Sequence, residues 1–112
     1  MNRVKLTSSS TVTVKVPKDV VEALKLLERS KPIGEALKGL MVHEVERRIC
    51  RYKLMAKVFE SKYKMSFREF DEQDAVEKLG HTWDVERDYF DWELATTELE
   101  SLEKILRRLA SS

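Results

Sequence analysis

The chain has 112 residues, of which 42% are hydrophobic and 37% are charged, and it contains only three glycines and two prolines. This length suits one domain, or a small domain with an extension, and the scarcity of glycine and proline is typical of long helices. No stretch approaches the ~20 consecutive apolar residues that a membrane-spanning helix needs. We therefore expect a mainly helical protein without a membrane partner.

Two features predict a cytoplasmic location. Residues 1–10 have no apolar core of the kind that export signals contain. Cys50 is the only cysteine, which excludes a disulfide within one chain and suits a reducing compartment.

The net charge of +1 conceals an asymmetry between the two halves of the chain. Residues 1–64 contain 15 Lys and Arg against 7 Asp and Glu, whereas residues 65–112 contain 6 against 13. Because an excess of one sign repels itself, this segregation predicts two partners of opposite charge. The alternative is that charged helix surfaces have segregated by chance.

The first predicted element is a short strand. Residues 11–16 alternate polar and apolar side chains and are β-branched apart from Lys15, and Pro17 ends the pattern. No second strand is predicted in the chain, and a strand cannot leave its backbone groups unpaired. We therefore expect this strand to pair with the same strand of a second copy, which makes the protein a homodimer.

Two helices are predicted next. Asp19 suits the cap of the first, and Pro32 ends it near Ser30 because proline disfavours helix at the residue before it. Ser30 and Pro32 then suit the cap and first turn of a second helix that runs to about Tyr63. Its apolar residues recur every three or four positions, as on the buried face of a helix: Ile33, Leu37, Met41, Val45, Ile49, Tyr52, Ala56, Phe59 and Tyr63.

Two further helices complete the chain. Ser66 and Glu69 have the spacing of a capping box and begin one short helix, which Gly80 ends in a left-handed conformation. Either Thr82 or Asp84 opens the last helix. Its apolar stripe consists of Val85, Tyr89, Trp92, Leu99, Leu102, Leu106 and Leu109.

The sequence contains no arrangement of residues that is typical of an enzyme. His43 and His81 are far apart and neither has a metal-ligand spacing to Cys50, so we expect no metal and no cofactor. There is no glycine-rich phosphate loop and no nucleophile or zinc-protease motif. The acidic residues within 71–74 are more typical of a solvated helix face than of a two-metal catalytic site.

Residues 11–45 resemble the ribbon-helix-helix fold. The resemblance rests on residues 11–19, which read TVTVKVPKD, and on the two helices that follow on either side of Ser30. It implies an N-terminal region, residues 1–45, in which two copies pair their strands and bind DNA. The fold class that we expect is therefore mainly α, with one short intermolecular β-strand.

The same resemblance implies which residues contact DNA. The family lays its two-stranded ribbon in the major groove, so that Thr11, Thr13 and Lys15 face the bases while the alternate valines face the core. The beginning of the second helix, at Ser30 and Lys31, holds a DNA phosphate in that family. Lys15 is the only long donor on this strand, and a strand that only joins two copies stays open as the alternative.

The remaining residues, 46–112, resemble the C-terminal extension of prokaryotic antitoxins of the VapB kind. The resemblance is carried by residues 51–55 (RYKLM), 62–70 (KYKMSFREF) and 88–93 (DYFDWE). It implies a helical extension that wraps a cognate toxin, commonly a nuclease with a positive cleft. The implied protein is not an enzyme: it neutralises this basic toxin and binds operator DNA as a dimer.

The acidic end of the chain holds the expected toxin-binding residues. Residues 84–104 include eight acidic and two basic side chains, so this segment matches a basic partner in charge, and its aromatic rings suit anchors. The predicted partner-binding residues are Trp83, Asp88, Tyr89, Phe90, Asp91, Trp92 and Glu93. Alternatively, Tyr89 and Trp92, which lie on the apolar stripe, form the core of a helical hairpin that packs on the long helix.

A second function stays open beside the antitoxin. A helical dimeric scaffold or adaptor that binds only protein, without DNA, would have the same helices and the same charge pattern. A steep salt dependence of DNA binding would distinguish the antitoxin from the scaffold.

Overall fold

The computed structural model describes residues 11–111, and these residues are mainly helical, as predicted. Residues 1–10, where the sequence predicts no export signal, lie outside the described residues. The described part of the chain forms five helices: α1 (Lys18–Leu27), α2 (Ile33–Tyr63), α3 (Phe67–Glu72), α4 (Ala75–Lys78) and α5 (Trp83–Ser111). The chain divides into two compact units, Met1–Leu37 and Lys38–Ser112, and the predicted boundary between residues 45 and 46 falls inside α2.

The predicted strand is not formed within a single chain. Residues 11–17 have no regular secondary structure, and no β-strand occurs between residues 11 and 111. Val12 and Val14 are 86% and 68% exposed. The valines that were expected to face a core are therefore uncovered in one chain, and the pairing of this segment with a second copy stays a prediction.

Helix α1 begins earlier than predicted. Pro17, rather than Asp19, precedes the first helical residue, Lys18. Proline suits this place because its fixed φ continues into a helix and its missing N–H is not needed there. Asp19 lies in the first turn instead, where its carboxylate accepts a hydrogen bond of 2.9 Å from the backbone N–H of Val20. The negative charge of this carboxylate also interacts favourably with the positive end of the helix dipole.

The turn between α1 and α2 corrects the predicted role of Ser30. This residue does not cap α2: its φ of 72° is left-handed, and the helix begins at Ile33, directly after Pro32. The backbone N–H of Ala36 donates a hydrogen bond of 2.9 Å to the carbonyl of Pro32, which closes the first helical turn. Ser30 thus adopts a conformation that costs a residue other than glycine about 1–2 kcal/mol.

Helix α2 ends at Tyr63, as predicted, and its 31 residues make it about 45 Å long. Its apolar stripe is buried only in part. Val45 and Ile49 are buried, whereas Leu37 and Met41, nearer the beginning of the helix, are about half exposed. The predicted stripe is therefore confirmed at Val45 and Ile49, whereas near the beginning of α2 the buried residue is Ala36, which lies outside that stripe.

The single short helix that the sequence predicted is two helices. Its capping box is confirmed: the hydroxyl of Ser66 accepts a hydrogen bond of 3.1 Å from the backbone N–H of Glu69, whose carboxylate accepts one of 3.0 Å from the backbone N–H of Ser66. The chain then breaks at Asp74, whose φ of 54° is left-handed. Aspartate tolerates this conformation better than most residues, which is why the helix can stop there and restart as α4.

Helix α5 begins at Trp83, and one of the two predicted caps is confirmed. The hydroxyl of Thr82 accepts a hydrogen bond of 3.3 Å from the backbone N–H of Val85, so Thr82 rather than Asp84 is the cap. Gly80 has the expected positive φ, 88°.

Helices α2 and α5 pack against each other in the second unit. Phe59 stacks on Trp92 with ring centroids 5.6 Å apart, and Val45 and Ile49 cluster with Leu102 further along. Because the numbers fall along α2 as they rise along α5, the two helices are antiparallel. The long helix α2 is thus itself one arm of a helical hairpin, and Trp92 lies in the core of that hairpin, as the alternative to partner binding predicts.

The core of the second unit consists of two clusters. The aromatic cluster has the buried members Phe59, Phe70, Ala75 and Trp92, and the aliphatic cluster has the buried members Val45, Ile49 and Leu102. Since α3 and α4 supply Phe70 and Ala75, these two short helices cover the aromatic cluster. They thereby bring the acidic residues of 71–74 to the beginning of α5.

Candidate partner-binding surface

Three large apolar side chains in the first half of α5 face away from the core. Trp83, Phe90 and Leu94 are 73%, 63% and 49% exposed. They are spaced seven and four residues apart, which at 3.6 residues per turn places them along one side of the helix. Trp92, two residues after Phe90, is only 1% exposed and lies on the opposite side. We call the row of Trp83, Phe90 and Leu94 the outer stripe.

The outer stripe lies among carboxylates. The helical repeat places Glu86 and Glu93 on one flank of it and Asp91 on the other. Arg87 is the only basic residue from 83 to 103, and its guanidinium lies 3.4 Å from the carboxylate of Asp84. Exposed apolar patches with a polar rim mark interaction sites, and this rim favours a positively charged partner.

One of the predicted partner-binding aromatics is buried in the core, and a second packs against the core. Trp92 stacks on Phe59 and Tyr63, with ring centroids 5.6 and 5.9 Å apart. Tyr89 is half-buried, and its hydroxyl donates a hydrogen bond of 2.8 Å to Asp71, which raises the pKa of Tyr89 to about 12. Both rings lie on the predicted apolar stripe of α5, where Trp92 faces α2 and Tyr89 packs on Phe67 and Phe70 of α3.

Asp88 is also engaged within the chain. Its carboxylate accepts hydrogen bonds of 2.6 Å from the hydroxyl of Tyr63 and of 2.5 Å from the ammonium group of Lys62. Burial opposes ionisation of this carboxyl, but the two donors outweigh burial, and the pKa of Asp88 lies below its ordinary value. The predicted contact of Asp88 with a partner is thus replaced by a contact that joins α2 to α5.

The predicted partner-binding set is therefore divided by the structure. Trp83, Phe90 and Glu93 are exposed on α5, and Asp91 is partly exposed beside them. Leu94 was not among the predicted residues, although its position four residues after Phe90 was a signal that the sequence contained.

A cleft adjoins the outer stripe at Phe90. It has a volume of about 210 Å³ and lies between α3, α4 and the beginning of α5. Its lining is apolar at Phe70, Ala75 and Val76, aromatic at Tyr89 and Phe90, and titratable at Asp71, Asp74, His81 and Glu86. We call it the acidic cleft. Because ligand pockets for cofactors usually occupy about 300–1,000 Å³, this space suits one side chain of a partner better than a whole cofactor.

His81 lines the acidic cleft and connects α4 to α5. Its two ring nitrogens lie 2.9 Å from the carboxylate of Glu77 and 3.2 Å from that of Glu86. These two carboxylates favour the protonated ring, so the pKa of His81 is raised above its ordinary value. The φ of His81, 54°, is left-handed, a conformation in which histidine is found more often than most residues.

The predicted DNA-contacting residues lie in the first unit. Thr11, Thr13 and Lys15 are exposed in the segment that precedes α1. Ser30 and Lys31 are exposed in the turn ahead of α2. The ammonium group of Lys31 lies 3.4 Å from the carboxylate of Glu28. The ribbon that would bring these two groups to one DNA surface requires a second copy, so their role stays a prediction.

Within residues 11–111, no group of three or more His, Cys, Asp and Glu side chains is placed to hold a metal ion. None of the helices described there is long and apolar enough to cross a membrane.

The acidic cleft was missed at the level of sequence. Residues 71–74 were interpreted as a solvated helix face, and His81 was assigned no partner. The break at Asp74 and the turn at Gly80 bring these residues together, and neither break can be placed from apolar periodicity alone. The only signal in the sequence was that Glu77 lies four residues before His81 and Glu86 five residues after it. Because the helix ends at Gly80, between Glu77 and His81, this spacing does not by itself predict contacts between these side chains.

No protein-family model, curated protein or solved structure matches the chain. The resemblance to ribbon-helix-helix antitoxins therefore rests on the sequence of this chain alone.

Proposed function

We propose that this protein is an antitoxin. In this proposal it is a homodimeric, non-enzymatic protein that binds operator DNA through residues 1–45 and neutralises a basic toxin through its C-terminal helices. The observation that carries the proposal is the outer stripe, where Trp83 and Phe90 are exposed among carboxylates. The resemblance of residues 46–112 to antitoxin extensions supports the same conclusion.

Much apolar surface of the outer stripe stays exposed to solvent in the single chain, and its burial would be favourable. Aromatic side chains bury 150–250 Å² each, and apolar burial contributes about 25 cal/mol per Å². Trp83 and Phe90 are 73% and 63% exposed, so most of that contribution remains for a partner to realise. Trp is the residue type most enriched among interface side chains whose removal costs about 2 kcal/mol or more.

The carboxylates around the stripe define the kind of partner. Asp91 and Glu93 give this side of α5 a negative field, whereas Glu86 is paired with His81. Such a field accelerates encounters with a positively charged surface and disfavours an acidic one. A toxin that cleaves RNA has such a surface, because it must bind phosphates. Charge and exposed rings thus favour the same partner.

The test is capture of the protein encoded beside this one. The variant with Trp83→Ser and Phe90→Ser should bind that protein roughly a thousandfold more weakly, since two anchors of about 2 kcal/mol each are lost. The matched control is Leu54→Ser with Val58→Ser, an equally exposed apolar pair on α2. Equal binding by the two double variants, or no binding by the natural chain, would show that the outer stripe is not the toxin-binding surface.

A scaffold that binds only protein is the second candidate function. It is favoured by one observation: residues 11–17 have no regular secondary structure in the single chain, and Lys15 is the only long donor among the expected base-contacting residues. Binding to the DNA upstream of its own gene separates the two functions. The affinity of an antitoxin for this DNA should fall by a factor of ~10³ between low and moderate salt, and Lys15→Ala should weaken binding while Lys57→Ala does not. Affinity that does not change with salt would favour the scaffold.

A further inference from the structure

The acidic cleft differs from the outer stripe in that it is concave and has room for one inserted side chain. Its floor is formed by Phe70 and Ala75, which belong to the buried aromatic cluster and therefore hold a fixed position. Tyr89 closes one side and is held by the hydrogen bond from its hydroxyl to Asp71. The cleft is thus formed before any partner arrives, which lowers the entropy lost on binding.

The charge of the cleft selects the inserted group. Asp71, Asp74 and Glu86 line it together with one histidine, His81, and neither lysine nor arginine does. Glu86 is paired with His81, and Asp71 accepts from the Tyr89 hydroxyl. The carboxylate of Asp74 has no hydrogen bond or ion pair with any residue between 11 and 111, so it is available to a cation from outside.

The aromatic rings of the cleft restrict the cation further. Tyr89 and Phe90 meet edge to face, with centroids 5.7 Å apart, so together they present one ring face and one ring edge. A guanidinium is planar, weakly hydrated and stacks on aromatic faces while donating to carboxylates in a fixed geometry. An ammonium group is strongly hydrated and gains less from an apolar floor. Arginine therefore fits the lining better than lysine does.

We propose that the acidic cleft receives an arginine side chain of the basic partner, with its stem over Phe70 and its guanidinium between Phe90 and Asp74. The inference rests on the proposed function, because it identifies how the same partner is recognised beside the outer stripe. The outer stripe would supply most of the affinity, and the cleft would supply selectivity for the charged group.

The experiment titrates the full chain with N-acetylarginine amide and follows chemical shifts by NMR. The matched ligands are N-acetyllysine amide, which has the charge without the planar group, and N-acetylcitrulline amide, which has the shape without the charge. A ligand of this size should bind with a dissociation constant on the order of 1 mM. Shifts should concentrate on Phe70, Asp74, Tyr89 and Phe90, and the lysine and citrulline ligands should bind at least about threefold more weakly.

Two variants make the test specific. Asp74→Asn should weaken the binding of N-acetylarginine amide by about fivefold, because the carboxylate charge is lost. The variant should keep the fold, because asparagine tolerates the left-handed conformation that residue 74 adopts. Glu72→Gln changes charge equally in the same segment but does not line the cleft, and it should leave binding unchanged. Equal binding of the arginine and lysine ligands, or equal effects of Asp74→Asn and Glu72→Gln, would overturn the proposal.

The outcomes for the cleft and for the proposed function are distinguishable. If the neighbour-encoded protein is captured through the outer stripe but Asp74→Asn changes neither that capture nor ligand binding, the cleft proposal fails and the antitoxin proposal stands. If N-acetylarginine amide binds at the cleft but the neighbour-encoded protein is not captured, the proposal that this protein is the partner is rejected. The proposal of an arginine site in the cleft then stands.

Discussion

The hydroxyl of Tyr63, at the end of α2, donates a hydrogen bond of 2.6 Å to the carboxylate of Asp88 on α5. Tyr63→Phe removes this one oxygen atom and should lower the free energy of unfolding by about 1 kcal/mol. Asp88→Ala should lower it by about 1–3 kcal/mol, since the Tyr63 hydroxyl then lacks its acceptor in a half-buried place. Urea denaturation measures both changes. Tyr52→Phe, which alters a half-buried tyrosine of the same helix, is the control and should leave stability nearly unchanged.

The two tryptophans of α5 should behave oppositely when they are truncated. Trp92→Ala leaves a cavity in the aromatic cluster and should reduce the free energy of unfolding by about 3–5 kcal/mol. Trp83→Ala removes an exposed ring and should change stability by no more than about 0.5 kcal/mol. Thermal and urea unfolding of the two variants give the comparison. Similar losses in both would mean that Trp83 packs in the fold and is not available to a partner.

The contact of His81 with Glu77 and Glu86 should make stability depend on pH. Because Glu77 and Glu86 raise the folded-state pKa of His81 above its ordinary value of 6.5, its contribution is fully present below that pH and is lost as the pH rises through the folded-state pKa. His81→Gln cannot be protonated, so its melting temperature should be lower than that of the natural chain at pH 5 and should approach it by pH 9, an interval of about two units on each side of the reference pKa. A constant difference across this range would contradict the assignment.

The sequence predicted the local features of this fold well because their causes are local. The capping box at Ser66, the end of α2 at Tyr63 and the positive φ at Gly80 each depend on residues a few positions apart. The predicted apolar stripe of α5 likewise included Trp92, which is buried, and left out Phe90, which is exposed. This distinction follows from the helical repeat, which decides the residues that share one side of a helix. These features require no knowledge of distant contacts.

The features that the sequence did not predict depend on distant partners. Asp88 lies 25 residues from the Tyr63 hydroxyl that it binds, and no linear pattern connects them. The break at Asp74 divides a segment whose composition suits one helix, because packing of Phe70 and Ala75 on the aromatic cluster outweighs helix continuity. The acidic cleft follows from that break, so it was not visible before the fold was known.

Dimerisation is expected to depend on the valines that precede α1. Val12 and Val14 are exposed in the single chain, and pairing with a second copy would cover them. Replacing both with aspartate should convert a dimer to a monomer in analytical ultracentrifugation, because four carboxylates would then meet in the paired strands. Thr13→Asp places one charge on the alternate face of the same segment and should leave the dimer intact. A natural chain that sediments as a monomer would rule out the ribbon.

The two core clusters stabilise the helical hairpin to different extents. The aromatic cluster is held by four helices, whereas the aliphatic cluster at Val45, Ile49 and Leu102 is held by α2 and α5. Transient separation of the two long helices should therefore start at the aliphatic end, where amide protons exchange soonest. A protease that acts on such openings would trim the last turns of α5 first and reach Trp83 and Phe90 last. Degradation from that end would shorten the protein while its partner-facing side chains stayed in place.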